Sequence, residues 1–333
     1  MNERLIIVSA RPSQIDTIRA IAEQAEVLSF EVYGLVEDAE YQAVHILVGD
    51  EKRQTVLDRL QSILQGEEDW RITILAVEAT IPLVEEEPEE EENLWGTPPG
   101  ESREEIYSRV SGNAKIDRNF LMFVFLSSVV VAIGLIKDNV AGVIGGMVIA
   151  PLLGPNLAFT FGAALGDRKL MGQAMVTNIA GIAISLIICI AIGFLWPLSL
   201  QSHELMARTN VGFDGAVLAL AAGVAAAVSI TTKLSSALVG VMVAVALLPP
   251  AAALGLMIGS GHREMALGAA MLLAVNVVCL NLAAQLTFAM RGIKPRTWFE
   301  KKAAQRAVLV NASVWVLLLV ALAILLIVRS HSA

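Results

Sequence analysis

Pro151, Pro155, Pro249 and Pro250 lie inside long apolar runs, and so do Asn156, Thr160, Asn178, Asn276 and Asn281. A proline within a helix removes a backbone donor and strands a carbonyl, which lipid cannot satisfy. If second half-helices begin at Pro155 and Pro250, their N-terminal amides point toward the bilayer midplane and give a positive lining that suits an anion. The chemistry on offer is then noncovalent binding of a small solute, with the Asn and Thr side chains as polar neighbours. A packing role competes with it. Proline kinks bridged by neighbours, and asparagines bonding between helices, occur in bundles with no ligand at all.

Covalent chemistry finds little support. His203, His262 and His331 fall in loops or the tail, away from the serines of the apolar runs, and no phosphate-loop, dinucleotide or zinc signature is present. Cys189 and Cys279 sit in apolar runs about 90 residues apart and are expected to pack, so no disulfide, metal site or cofactor is expected. An enzyme is therefore not expected. No Asp, Glu, Lys or Arg falls in the middle of an apolar run, which argues against a carboxylate proton relay. Asp138, Asp167 and Asp214 lie at run ends, as caps or interface residues.

The elements that position these residues follow from composition. The 333 residues are 56% apolar with a mean hydropathy of +0.65, and the excess is concentrated after Phe120. Seven membrane spans are expected, at about 119–136, 140–165, 171–196, 213–231, 235–259, 265–290 and 307–328. With the N-terminus inside, the cytosolic side receives Arg168, Lys169, Lys233, Arg291, Lys294, Arg296 and further cations, which predicts an external C-terminus. The basic segment 291–306, with Trp298 and Phe299, suits an interfacial helix on anionic headgroups.

The apolar region contains one unit twice. A shift of 95 residues lays Val143–Pro155 on Leu238–Pro250, pairing Gly145 with Gly240, Met147 with Met242, Leu152 with Leu247 and Pro155 with Pro250. The register continues through Gly166 and Arg168 onto Gly261 and Arg263. Each copy, 119–196 and 213–290, holds three spans, so the second enters the membrane from the opposite side and the repeats are inverted, with proline-broken middle helices. Gly142/Gly146, Gly162/Gly166 and Gly255/Gly259, with Ala219, Ala222, Gly223 and Ala226, predict close helix contact, within one bundle or between subunits.

Before the spans, residues 1–82 alternate as βαββαβ, the order of a ferredoxin-like α+β domain, with Glu37–Glu40 as a hairpin turn and Asp50 opening the second helix. Such a domain has one sheet face free of helices, for oligomer assembly or for a ligand. His45 in its third strand receives no role. Residues 83–101 are an acidic linker that cannot fold on itself. Ser102 with Glu105 fits a capping box that starts a helix over 102–118 leading into the membrane.

The segments VIGGMVIAPLLGP, GDRKL, SALVGVMVAVALLPP and RVSGNAKIDRNFL together resemble the bacterial hydrophobic membrane-protein family catalogued as domain of unknown function 389, over roughly residues 105–290. The resemblance implies a membrane bundle and imports no substrate, cofactor or catalytic residue. The expectation is a multi-pass protein of the bacterial inner membrane, N-terminus cytoplasmic, homo-oligomeric and without nucleic-acid partners. It would act as a transporter or channel-like protein for a small solute, anions included, with a cytosolic regulatory or assembly domain. The competing expectation is a non-transporting membrane scaffold or sensor.

Overall fold

The computed structural model describes residues 3–34, 41–64, 70–77, 102–196, 198, 200–232, 236–293, 313–321 and 324. The acidic linker 83–101, the turn Glu37–Glu40 and nearly all of the basic segment 291–306 lie outside them, as does most of the final expected span at 307–328, where 313–321 is helical. The chain divides into two compact units, Met1–Ile106 and Tyr107–Ala333.

In the N-terminal unit, β1 (Arg4–Ala10), α1 (Ile15–Gln24), β2 (Ser29–Tyr33), β3 (Gln42–Val48), α2 (Asp50–Leu64) and β4 (Arg71–Ala76) follow in that order. The sheet runs β2-β3-β1-β4 with every neighbouring pair antiparallel, the split βαβ arrangement expected of a ferredoxin-like domain. Alternation decides which face is covered. Ile6, Val8, Val44, Ile46 and Val48 are buried with Ile18 of α1 and Val56, Leu57 and Leu60 of α2. Leu5, Ile7, Ala43, His45 and Leu47, on the other face, stay half-buried.

α3 (Arg103–Asn113) begins with the expected capping box: Ser102 Oγ accepts from Glu105 N–H at 3.3 Å, and Glu105 Oε2 accepts from Ser102 N–H at 2.8 Å. Arg4 Nε donates to Glu105 Oε1 at 2.9 Å, and Arg103 bonds Asp58 Oδ1 at 2.8 Å, so the first turn is tied to β1 and α2. Burial alone would push the Glu105 carboxyl up, but the Ser102 donors and Arg4 outweigh it and hold it below the usual carboxylate range.

The second unit is helical: α4 (Arg118–Ile136), α5 (Val140–Ile149), α6 (Leu153–Leu165), α7 (Arg168–Leu195), a short α8 (His203–Ala207) in a connection where no element was expected, α9 (Phe213–Thr232), α10 (Ser236–Gly259) and α11 (Arg263–Met290). Among the described residues, α4, α7, α9 and α11 are each long and apolar enough to cross a membrane, and the bent pair α5–α6 makes a fifth candidate. Large apolar side chains cover their outer surfaces, with Ile187 66% and Phe194 80% exposed, a surface that suits lipid rather than water.

The duplication is visible in the structure. α7 and α11 have both bounds displaced by the same 95 residues, and each is preceded by a left-handed glycine, Gly166 at φ +73° and Gly261 at φ +83°. Close helix contact is internal to this bundle: a methyl on Gly255 of α10 would sit 2.6 Å from Cys189 Cβ of α7, and Ala219, Ala222 and Ala226 of α9 are fully buried.

One expectation needs correction. Only the first middle helix is broken. Residues Ala150–Leu152 separate α5 from α6 with a 53° bend, whereas α10 runs unbroken through Pro249 and Pro250. The copies place their prolines differently. Ala150, preceding Pro151, is extended (φ −67°, ψ 121°), as a residue before proline prefers. In the 95-residue register Pro151 falls on Ala246, which keeps its N–H and stays helical.

Candidate functional site

Pro250 should strand the carbonyl of Ala246, four residues earlier. Asn276 of α11 reaches it: Nδ2 donates to Ala246 O at 2.8 Å, a side-chain bond in place of the missing backbone one. That is how α10 carries a proline pair without breaking. In the first copy the position equivalent to Asn276 is Gly181, which has no side chain to offer.

The Asn276 bond also fixes the amide orientation, because only its NH2 group can donate to a carbonyl. Oδ1 therefore turns away from Ala246 and, among the described residues, is buried without a partner; the residue is 5% exposed. The residue lines a pocket of about 60 Å³ at the first turn of α9, together with Arg208, Asn210, Asp214, Gly215 and Ala246 among others. A single water needs roughly 10–15 Å³, so the space exceeds one water several-fold.

Comparison of the two copies explains why the pocket exists. In the first, a methyl built on Gly181 would lie 3.1 Å from Phe120 Cζ and 3.1 Å from Leu152 Cδ2, so the phenyl ring fills the space beside the glycine. In the second, the register puts Gly215 at the Phe120 position and Asn276 at the Gly181 position. A methyl on Gly215 would be 3.3 Å from Leu272 Cδ1 and 4.0 Å from Asn276 Oδ1. The same pair of helices meets at the same pair of positions, with the large apolar residue removed and a polar one placed opposite.

The pocket wall has a second unpaired atom. Arg208 meets Glu204 through Nη2 at 3.6 Å, while its Nε is buried with no partner among the described residues. Asp214 lies in the first turn of α9, where a carboxylate is favoured by the helix dipole.

The other sequence-derived candidates separate from this pocket. Pro151 lies in the break and Pro155 in the first turn of α6. Asn156 Nδ2 donates to Leu152 O at 2.8 Å, and the Thr160 hydroxyl donates to Asn156 O and Leu157 O at 3.2 and 3.1 Å, all within their own segment. Asn281 Nδ2 bonds Val277 O at 2.7 Å, and the Oδ1 atoms of Asn281 and Asn178 are buried without partners among the described residues. Among the described residues, every bond made by these side chains is to a backbone carbonyl. Pro250 and Asn276 are brought together through Ala246; Arg208 and Gly215 were not singled out from sequence, although the exchange of Phe120 for Gly215 stands in the repeat register.

Among the described residues no cluster of three or more His, Cys, Asp or Glu could hold a metal. Cys189 and Cys279 are free and buried. Asp167 caps α7, accepting from Lys169 N–H at 2.9 Å and Leu170 N–H at 3.0 Å, and takes the Tyr107 hydroxyl at 2.8 Å, a bond that raises the phenol's pKa. Asp138 instead accepts from Glu204 N–H at 2.7 Å.

The family model described as Domain of unknown function (DUF389) matches residues 147–282, which span the break, α7, α9, α10 and the Asn276 turn of α11. An uncharacterized protein of Methanocaldococcus jannaschii is 34% identical over 284 residues, covering 85% of this chain and 87% of its own length. The chain belongs to the DUF389 family. No solved structure matches it. Within this DUF389 chain the matched region contains both proline segments and Asn276, while Phe120, the ring that fills the first copy, lies before it.

Proposed function

We propose that this DUF389 protein is a membrane transporter or channel-like protein for a small solute, with the pocket at Asn276 as part of its solute path. The observation that carries the reading is Asn276, 5% exposed and with Oδ1 unpaired among the described residues, in the wall of a pocket within the helical unit. A buried polar atom without a partner costs about 1–3 kcal/mol, so a fold that places one beside a cavity supports a visiting ligand or water there.

The proposed architecture has seven spans, with the two three-helix copies entering the bilayer from opposite sides, because an odd number of spans separates equivalent points. The unequal middle helices fit that scheme. Inverted repeats that move alternately hold different conformations at one time, and here one middle helix is broken with a 53° bend while the other is continuous. In the proposal the N-terminus faces the cytoplasm of a bacterial inner membrane, the C-terminus lies outside, anionic lipid holds the basic segment, and the protein is a homo-oligomer assembled or regulated by its N-terminal domain. No catalytic step, metal or nucleic acid is part of it.

Flux in proteoliposomes tests the reading. Time-dependent, saturable uptake of a small solute, lost in Gly215→Phe, is expected. A panel of ions, amides, amino acids and sugars that shows no protein-dependent flux, from vesicles with folded protein, would leave a non-transporting scaffold or sensor.

A further inference from the structure

In the N-terminal unit α1 and α2 pack on one face of the sheet, and the strand register sets the side chains of the other face in rows across β2-β3-β1-β4. Ser29, Leu47, Leu5 and Leu75 form one end row, and Tyr33, Ala43, Ser9 and Arg71 form the other. Between them Glu31 stands on β2, in line with His45 and Ile7. One end of the face is therefore apolar and the other polar. Leu75 is 45% and Tyr33 52% exposed. The charged residues of the face are Glu31 and Arg71, at its opposite edges. Three strand spacings, about 14 Å, separate those edges, so the two do not meet within one chain. Tyr33 is held in place, its ring centroid 4.4 Å from that of His45 and its hydroxyl donating to Glu31 Oε2.

We infer that this face is covered by the same face of a second copy, with the two-fold axis parallel to the strands. That axis lays β2 on the partner's β4 and β3 on the partner's β1 while keeping each row on itself. Leu47 then meets the partner's Leu5, and Ser29 the partner's Leu75. At the polar end Tyr33 meets the partner's Arg71, whose guanidinium reaches both the ring and the Glu31 carboxylate bonded to it. Symmetry makes each contact twice. An axis across the strands would lay the leucine row on the row of Tyr33 and Arg71, setting a charge against apolar carbon. An anionic lipid surface fits less well, because Glu31 offsets the charge of Arg71.

The area sets where this contact holds. A four-stranded face about 19 Å wide and 20 Å long offers on the order of 400 Å² per copy, about half of what a stable soluble dimer buries on each side. The contact therefore needs the membrane bundle, which confines copies to one plane and raises their effective concentration. The inference gives a surface and an axis to the assembly role proposed for the N-terminal domain. It rests on that homo-oligomer and not on transport.

The test uses the full chain in lipid vesicles with Cys189 and Cys279 replaced by alanine. Chains carrying Ser29→Cys and chains carrying Leu75→Cys, told apart by tags of different size, are co-expressed and treated with a bis-maleimide. Sheets ~10 Å apart put position 29 opposite position 75, and like positions about 17 Å apart. A cross-link between 29 and 75 is therefore expected, well above 29 with 29 or 75 with 75. Arg71→Glu and Glu31→Arg should each lower its yield about fivefold, and the two substitutions together should restore it. Both residues are exposed, and their separation within one chain leaves a contact between chains as the source of that rescue. Cross-linking of like positions, or a loss that the charge exchange does not rescue, overturns the proposal. So does slow labelling of both cysteines without a cross-link, which would put lipid or another segment of the chain on the face. An oligomer by mass without the 29–75 cross-link overturns this face and leaves assembly through the bundle, whereas a monomer removes both.

Discussion

Removing Asn276 and Pro250, singly and together, isolates the bond that keeps α10 whole. In Asn276→Ala the Ala246 carbonyl, 2% exposed as a residue, loses its donor at 2.8 Å and is left dry. A buried carbonyl without a partner costs about 1–3 kcal/mol. Pro250→Ala restores the backbone N–H that reaches this carbonyl in an ordinary helix, and removes a residue that is roughly 3 kcal/mol worse than alanine in a helix interior. In that background Asn276 is redundant toward Ala246, and its replacement should cost no more than an ordinary hydrogen bond, about 0.5–1.5 kcal/mol. The cycle therefore predicts a coupling of about 0.5–1.5 kcal/mol, centred near 1 and above the 0.3–0.5 kcal/mol scatter of independent sites. Helicity followed during reversible unfolding in mixed micelles gives the four stabilities. Additive losses would refute the assignment of Asn276 as the replacement donor.

Three further outcomes follow from individual contacts. Asp167→Ala removes the cap of α7 and should cost about 1 kcal/mol in the same unfolding assay, while Asp167→Asn, which keeps a side-chain acceptor, should recover most of it. Gly255→Leu drives a side chain into Cys189, where a methyl alone would already be 2.6 Å from Cβ, and should destabilise α7 against α10 by about 1–3 kcal/mol. Glu105 has a folded pKa held below its ordinary value of 4.5, so its contribution is complete above that value and is lost as the pH falls through the lowered folded pKa. Hydrogen exchange in β1 and α2 should therefore show a protection loss below about pH 4.5 that is smaller in Glu105→Gln.

The N-terminal unit was readable because its strands alternate and its helices repeat their apolar face, and the hairpin register then follows. Ser102 and Glu105 announced their cap through spacing alone. The repeat was readable too, since Gly166 and Gly261 mark the same left-handed turn. What sequence could not resolve was the fate of the prolines. Pro155 and Pro250 share a register, but whether a helix breaks depends on Pro151 beside the first and on Asn276, from another helix, beside the second. A donor that arrives from a different element leaves no local signal. For the same reason Asn156 and Thr160 looked like site residues, although their bonds stay within one turn of their own helix. Arg208 enters the pocket from a connection whose short helix has no apolar periodicity to announce it.

In the proposed architecture one three-helix unit occurs twice in opposite orientations, and labelling of equivalent positions tests that most directly. Lys169 and Glu264 occupy the same place at the starts of α7 and α11 and are both exposed. With the buried Cys189 and Cys279 replaced, single cysteines at 169 and 264 should react with an impermeant maleimide from opposite faces of sealed vesicles. Labelling of both from the same face would contradict the inversion.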